Sequence, residues 1–173
     1  KRIEVLTFVD GGLSIDWMKK TGAKVQNLLT KGSLNHLTHQ LKKTPEQHFN
    51  EIAQTIALAH DNNIDTNVYL EDWSNGMRNS PEYVFQYLDF LTKQPVKRIL
   101  LPDTLGVLIP SETFSFVSQI TKRYPNTHFD FHAHNDYDLS VANVMEAVKA
   151  GINGLHVTVN GMGERAGNAP LES

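Results

Sequence analysis

Apolar residues along this chain recur at two spacings. Six short runs have strand character: residues 2–9 (RIEVLTFV), 23–29 (AKVQNLL), 66–71 (TNVYLE), 97–103 (KRILLPD), 128–134 (HFDFHAH) and 154–160 (GLHVTVN). Between them apolar positions fall three and four apart, which predicts amphipathic helices and a repeated β-α pattern. The helix boundaries carry their own signals. Thr44-Pro45-Glu46-Gln47 combines an N-cap, a proline in the first turn and a capping-box glutamine, and Phe49, Ile52, Ile56 and Ala59 then keep one face apolar. Ser80-Pro81 opens a second helix burying Val84, Tyr87, Leu88 and Leu91; a third runs from Ser111 towards Tyr124 and stops before Pro125. A fourth spans about Asp138 to Ala150 and ends at Gly151, and Gly22 closes a short helix over 14–22 in the same way. The longest polar connection, residues 31–48, is expected to hold a short irregular helix.

Strands alternating with helices through short loops favour a parallel sheet covered by helices. An open doubly wound sheet and a (β/α)8 barrel both satisfy the pattern, and periodicity does not choose between them. A barrel needs eight units and about 200 residues or more. A chain of 173 residues therefore supplies about six strands of one, as a single partial domain over residues 1–173.

Composition narrows the function classes. The net charge of −3 and the lack of any Lys/Arg run argue against a nucleic-acid partner. No apolar run nears the roughly 18 residues of a membrane span. Cysteine is absent, which excludes disulfides and thiolate metal sites and fits a reducing, cytoplasmic setting. The chain opens inside a strand-like run with neither an initiator Met nor signal-type regions, so it is expected to be a piece of something longer.

The candidate chemistry gathers at strand ends. His132 and His134 stand two apart in a strand, so both side chains point one way, with Asp130, while Phe129, Phe131 and Ala133 face the covering helices. Two imidazoles on one side can grip one divalent ion; the bland alternative is a hydrogen-bonded pair in a polar interior layer. Residues 159–168 (VNGMGERAGN) form a glycine-rich loop after a strand. Its glycines at 161, 163 and 167 miss the dinucleotide fingerprint by one residue, and Glu164 would repel a pyrophosphate. Asp103 and Thr104 end the fourth run, where the Thr hydroxyl can donate to a carboxylate. Tyr69 and Glu71 share one face of the third run. Four consecutive strands thus finish in hydrogen-bonding groups. His39, His48 and His60 are expected to face solvent, and His128 and His156 form no constellation.

The stretch from His132 to Glu172, with LPDTLG (101–106) and YLED (69–72), resembles the metal-dependent Claisen-condensing barrels: 2-isopropylmalate, homocitrate and citramalate synthases. The resemblance covers essentially the whole chain. It implies a (β/α)8 barrel whose strands three to eight are present here, with the first two β-α units upstream and any regulatory domain downstream. It also implies a divalent metal (Zn, Mn or Mg) held by His132 and His134, with Asn168 as a weaker third ligand. The family's strongest protein ligand, an Asp in an Arg-Asp-Gly motif, and the Arg beside it are not in this chain. The resemblance implies a 2-oxo acid and acetyl-coenzyme A as partners, Thr104 fixing the 2-oxo carboxylate, and Glu71 as the catalytic carboxylate. Leu6, Leu29 and Tyr69 would contact the alkyl group, and His36, in a Ser-x-x-His pattern with Ser33, would lie near the pocket. Two leucines and a tyrosine suit the methyl of pyruvate, hence citramalate, ahead of 2-isopropylmalate and then homocitrate. The family's lyases of the 3-hydroxy-3-methylglutaryl-coenzyme A type carry a catalytic Cys in the last loop, which is missing here. A homodimer is the expected assembly, and the 173-residue stretch alone, without the Arg and Asp, is expected to be inactive.

Overall fold

The computed structural model describes residues 3–173, so Lys1 and Arg2, the latter opening the first expected strand, lie outside the described residues. Six parallel strands form one sheet: β1 (Val5–Phe8), β2 (Val25–Lys31), β3 (Asp65–Glu71), β4 (Val96–Asp103), β5 (Phe129–Ala133) and β6 (Gly154–His156). They lie side by side in chain order, each hydrogen-bonded in parallel to the next. This order decides between the two architectures. A doubly wound sheet reverses direction at a switch point, whereas a barrel adds strands always on the same side.

The sheet also curls. The Arg98 guanidinium on β4 pairs with Glu4 beside β1, and the Tyr69 hydroxyl on β3 reaches His156 on β6. Strands stand about 4.8 Å apart, so partners three strands away meet so closely only if the surface is concave. The result is a partial barrel of six strands, the first five each followed by helix.

Helices α1 (Leu13–Thr21), α2 (Leu34–His36), α3 (Pro45–Asp61), α4 (Trp73–Asn79), α5 (Pro81–Leu91), α6 (Pro110–Arg123) and α7 (Ser140–Lys149) run between the strands. The expected capping box forms: Gln47 N–H donates to Thr44 Oγ1 at 3.3 Å and Thr44 N–H to Gln47 Oε1 at 2.9 Å. The irregular helix in the long polar connection is α2, continued by a π-helical turn over Leu37–Leu41. One helix, α4, is not foreshadowed by the sequence pattern, since Ser, Asn and Gly are weak helix formers. It forms because Trp73 and Met77 bury themselves, the Trp73 ring lying edge-on to Phe116 and Phe131.

Alternation along each strand separates the two faces. Leu28, Val68, Leu70, Ile99, Leu101, Phe129 and Phe131 pack outward against the helices as the main core. The other parity (Asn27, Tyr69, Arg98, Asp130, His132, His156) faces the inside of the arc. Of the boundaries that differ from the sequence reading, two bear on the site. β2 continues to Lys31, and β6 stops at His156 after three residues, because Thr158 N–H turns to the carbonyl of Ala169 in the returning loop.

Candidate functional site

The C-terminal ends of the strands collect the polar groups. A cleft of about 380 Å³ opens there, lined by Leu6, Leu29, Tyr69, Glu71, Pro102, Thr104, His132, His134 and Glu164. Of the candidate residues read from the sequence, seven line this cleft; His36 lies in an adjoining cavity, and Asn168 sits beneath the histidine pair.

His132 and His134 point the same way. Their Nε2 atoms stand 3.4 Å apart, and the rings are nearly perpendicular. Two nitrogens bound about 2.1 Å from a tetrahedral ion stand about 3.4 Å apart, so the spacing suits a shared cation. Burial, and then the neighbouring rings of His134 and His156, push the His132 pKa down to about 4. Burial, and then Arg165, lower that of His134. Both rings are therefore neutral near pH 7, the form that ligates metals. Their Nδ1 atoms are buried without a partner, so packing holds the ring planes, with Tyr69 edge-on to His132 at 5.8 Å. Among the described residues no set of three His, Cys, Asp or Glu side chains could hold a metal.

Asn168 reaches the pair because the glycine-rich loop folds back on itself. Asn168 N–H donates to Gly161 O, Asn135 N–H to Gly167 O, and Ala169 N–H to Ala133 O, which lays the loop against the end of β5. Its Nδ2 donates to Ala133 O at 3.2 Å and lies 3.4 Å from His132 Nε2. The carboxamide oxygen rests on Gly163, where an added Cβ would meet it at 1.9 Å. As placed, the carboxamide faces the imidazole with its nitrogen, and offering its oxygen requires the amide to turn over.

Arg165, not singled out by the sequence, ties the same loop to its neighbours. It donates from Nε and Nη2 to the two Asp136 oxygens at 2.7 and 2.8 Å, and from Nη2 to Thr104 O at 2.8 Å. The Arg165 hydrogen bond holds the Asp136 carboxyl below its usual range. The sequence signal for this clamp is that Glu164 and Arg165 are the only charged residues of the loop over 159–168.

The opposite wall centres on Glu71. Lys31 Nζ donates to Glu71 Oε2 at 2.5 Å, a contact the sequence left unmarked because Lys31 was expected beyond its strand. Lys31 is itself pinned: its N–H donates to His48 Nε2 at 3.2 Å and its carbonyl accepts from Tyr83 Oη at 2.8 Å. This corrects the expected solvent-facing role of His48, whose side chain is buried between α3 and the sheet. His39 and His60 are exposed as expected.

Asp72 adopts φ 65°, a left-handed conformation uncommon outside Gly and Asn. Its surroundings over-determine it. Its N–H donates to Thr104 Oγ1 at 2.8 Å, and its carboxylate accepts from Ser33 Oγ at 2.6 Å and Asn75 Nδ2 at 2.8 Å. Gly76 lets α4 approach this closely: a Cβ there would meet Gly32 O at 2.2 Å. Because Thr104 Oγ1 accepts from Asp72, its own proton remains free to donate into the cleft. His36 lies 3.4 Å from Asp72 Oδ2 and 3.9 Å from Glu71 Oε1. Asp103 faces away from the cleft: Val107 and Leu108 N–H donate to its carboxylate at 3.2 and 3.0 Å, shaping the β4-α6 turn.

His128 and His156 correct the sequence reading again, since both converge on Asp130. His128 Nε2 lies 2.8 Å from Asp130 Oδ1 and His156 Nε2 3.2 Å from Oδ2, with Arg98 Nη1 donating to Oδ2 at 2.9 Å. Burial opposes ionisation of Asp130, yet the His156 hydrogen bond, the charges of His156 and Arg98 and the His128 hydrogen bond outweigh it, and the pKa is lowered. The missed signal was strand parity: 128, 130 and 156 all face inward.

Residues 13–173 match the HMGL-like family. The chain is 36% identical over 137 residues to a homocitrate synthase of Saccharolobus islandicus (strain L.S.2.15 / Lassen #1), covering 79% of this chain and 29% of that protein. It is 34% identical over the same length to the homocitrate synthase of Sulfolobus acidocaldarius, with the same coverage. It thus spans under a third of the length of these curated relatives. In three dimensions it is similar to the hydroxymethylglutaryl-CoA lyase of Pseudomonas aeruginosa (TM-score 0.86, 16% identity, covering 99% of this chain and 59% of that one). The Bacillus subtilis HMG-CoA lyase is comparable, with a TM-score of 0.84, 21% identity, and 98% and 59% coverage.

Proposed function

Since the chain belongs to the HMGL-like family, we propose that its parent protein is an acyltransferase that condenses acetyl-coenzyme A with a 2-oxo acid, pyruvate in the first instance. The observation that carries this reading is the pair of neutral imidazoles, Nε2 atoms 3.4 Å apart, set beside Thr104 and an apolar wall of Leu6, Leu29 and Tyr69.

His132 and His134 would hold a divalent cation, with Asn168 joining if its carboxamide turns over. Such a cation, when bound, supplies Lewis acidity at the keto oxygen. Thr104 donates its free proton to the 2-oxo carboxylate. Glu71, held by Lys31, orients the substrates and relays the proton taken from the acetyl methyl group. The methyl carbon forms the new bond to the keto carbon, and the keto oxygen takes up a proton. Water then cleaves the thioester, releasing coenzyme A as the thiol and leaving a carboxylate. The adjoining cavity, lined by His36, Ser33, Asp72 and Asn75, offers room for the thioester.

The cleft also favours a small monoacid. Among the described residues no Lys or Arg lines it, whereas Glu71 and Glu164 do. The distal carboxylate of 2-oxoglutarate would meet two carboxylates whose own cations, Lys31 and Arg165, are already engaged, and would find no cation of its own on the described lining. A branched alkyl group must fit against Tyr69. Homocitrate synthesis, the activity named for the relatives, is the reading this lining disfavours.

The test is a panel of pyruvate, 2-oxoisovalerate and 2-oxoglutarate, each offered to the full-length protein with acetyl-coenzyme A and Mn²⁺, reading free thiol. The fastest release is expected with pyruvate. Fastest release with 2-oxoglutarate would overturn the substrate assignment, and no release with any of them would overturn the condensing reaction.

A further inference from the structure

Tyr69 is the one wall of the cleft whose polar end is tied down beneath the cleft floor. Its hydroxyl lies 2.5 Å from His156 Nδ1, and the other nitrogen of that ring lies 3.2 Å from Asp130 Oδ2. Asp130 also accepts from Arg98, so its carboxylate is set to accept from His156 Nε2 as well; in the neutral tautomer protonated at Nε2, Nδ1 accepts from the Tyr69 hydroxyl. Arg98 and His128 hold the remaining lone pairs of Asp130, and Gly154 makes room for it, since a Cβ there would meet Asp130 Oδ1 at 2.1 Å. In that tautomer the chain runs from the Tyr69 hydroxyl through His156 to Asp130. The Tyr69 ring it holds stands edge-on to His132 (79° between planes) and to His156 (66°) and lines the cleft while its hydroxyl is engaged by His156.

We infer that His156, backed by Asp130, is a positioning residue for substrate choice: it keeps the Tyr69 ring turned so that the cleft ends in an apolar wall close to the alkyl group of the 2-oxo acid. This rests on the reading of the cleft as a 2-oxo acid site. Without the acceptor at Nδ1, the Tyr69 hydroxyl has no partner on the buried side, the ring rotates freely, and the wall no longer fixes the length of the alkyl group.

The test is a double-mutant cycle on the full-length protein, reading the kcat/KM ratio of pyruvate over its homologue one methylene longer, 2-oxobutyrate. One methylene in a tight apolar pocket is worth about 10–200-fold. The loss of one hydrogen bond is expected to lower the ratio roughly fivefold in H156L and in Y69F alike, and no further in the double variant, because both remove the same interaction. His156→Asn places an acceptor where Nδ1 was and recovers most of the ratio; His156→Gln, which mimics only Nε2, does not. A merely structural His156 would lower stability and rate without moving the ratio. Additive losses in the cycle, or an unchanged ratio in H156L, would overturn the inference. Independently of turnover, ¹⁵N spectra of the histidine rings read the His156 tautomer. An unprotonated Nδ1 whose resonance shifts in Y69F supports the inference, and a protonated Nδ1 in the resting protein overturns it. If no 2-oxo acid is turned over, the proposed function falls, and the spectra alone decide whether His156 holds Tyr69.

Discussion

Protonation of His48 should destabilise the fold and, with it, the wall that carries Glu71. His48 Nε2 accepts from the backbone N–H of Lys31, so the proton it would gain has no room without breaking that bond. Burial is the largest cause that lowers its pKa, from 6.5 to about 4, with the nearby Lys43 and Lys31 charges helping and Glu51 opposing. The unfolded chain therefore binds this proton more readily than the folded one. The contribution to stability is fully present above about pH 6.5 and is lost as pH falls towards 4. Linkage gives about 1.4 kcal/mol per pH unit at its steepest, roughly 2 kcal/mol between pH 7 and 5, and up to about 3 kcal/mol in all. Carboxylates titrate in the lower part of this window, so the measurement is a difference: urea unfolding from pH 7.5 to 4.5 for the wild type and for His48→Gln. The glutamine oxygen can accept from Lys31 N–H at the Nε2 position but cannot be protonated. The wild type should lose about 2 kcal/mol more than the variant on going from pH 7 to 5. Parallel pH profiles would refute the assignment of His48 as a buried acceptor.

Three further outcomes follow from the mouth of the arc. His132→Ala and His134→Ala should each weaken Zn²⁺ or Mn²⁺ binding by more than the roughly 10–100-fold typical of an outer-shell change, read by calorimetry, with the unfolding midpoint of the metal-free protein little altered. Gly163→Ala should displace the Asn168 carboxamide, because the new Cβ would meet Oδ1 at 1.9 Å, and should match Asn168→Ala in metal affinity, the pair of changes being non-additive. Arg165→Leu should free the loop from Asp136 and Thr104 and accelerate amide hydrogen exchange at Asn135 and Asn168, while exchange in the β3 core stays slow.

Much of this was legible in the sequence where one local rule decides the outcome. The capping box at Thr44, the left-handed glycines at 22 and 151, and the shared face of His132 and His134 each follow from periodicity or backbone sterics alone. The choice of barrel over doubly wound sheet was not legible from period, and needed strand order and curl. The errors have a common origin in long-range packing. His48 stands four residues before Ile52 and eight before Ile56, beside the apolar stripe of its helix, and β2 runs two residues further than expected and brings Lys31 N–H against it. His128 and His156 lie 28 residues apart, and only the β5–β6 pairing sets both around Asp130. Helix α4 has poor intrinsic propensity and exists because Trp73 finds Phe116 and Phe131.

The inner face of the arc separates structural polarity from chemical polarity by whether its groups are satisfied. Lower in the arc most of the polar groups are matched, the buried Asn67 Oδ1 being an exception. Arg98 pairs with Glu4 and Asp130, Asn67 donates to Glu4 and Asn27, and two histidines direct donors at Asp130. Such a layer holds strands together and has little left to offer a ligand. At the strand ends the matching fails in a specific way. His132 and His134 are neutral and aim Nε2 at Nε2, so at most one can donate to the other, while both Nδ1 atoms are buried without partners. Thr104 accepts from Asp72 and keeps an unspent proton, and Glu164 stands exposed at the rim with only Arg165 beside it, at 3.8 Å. Buried acceptors facing one another cost free energy that a packed protein normally removes. A cation between the imidazoles removes it, and a carboxylate at Thr104 uses the remaining donor. The same six strands therefore serve as a closed polar core at one level and as an incomplete coordination site one turn of side chains higher.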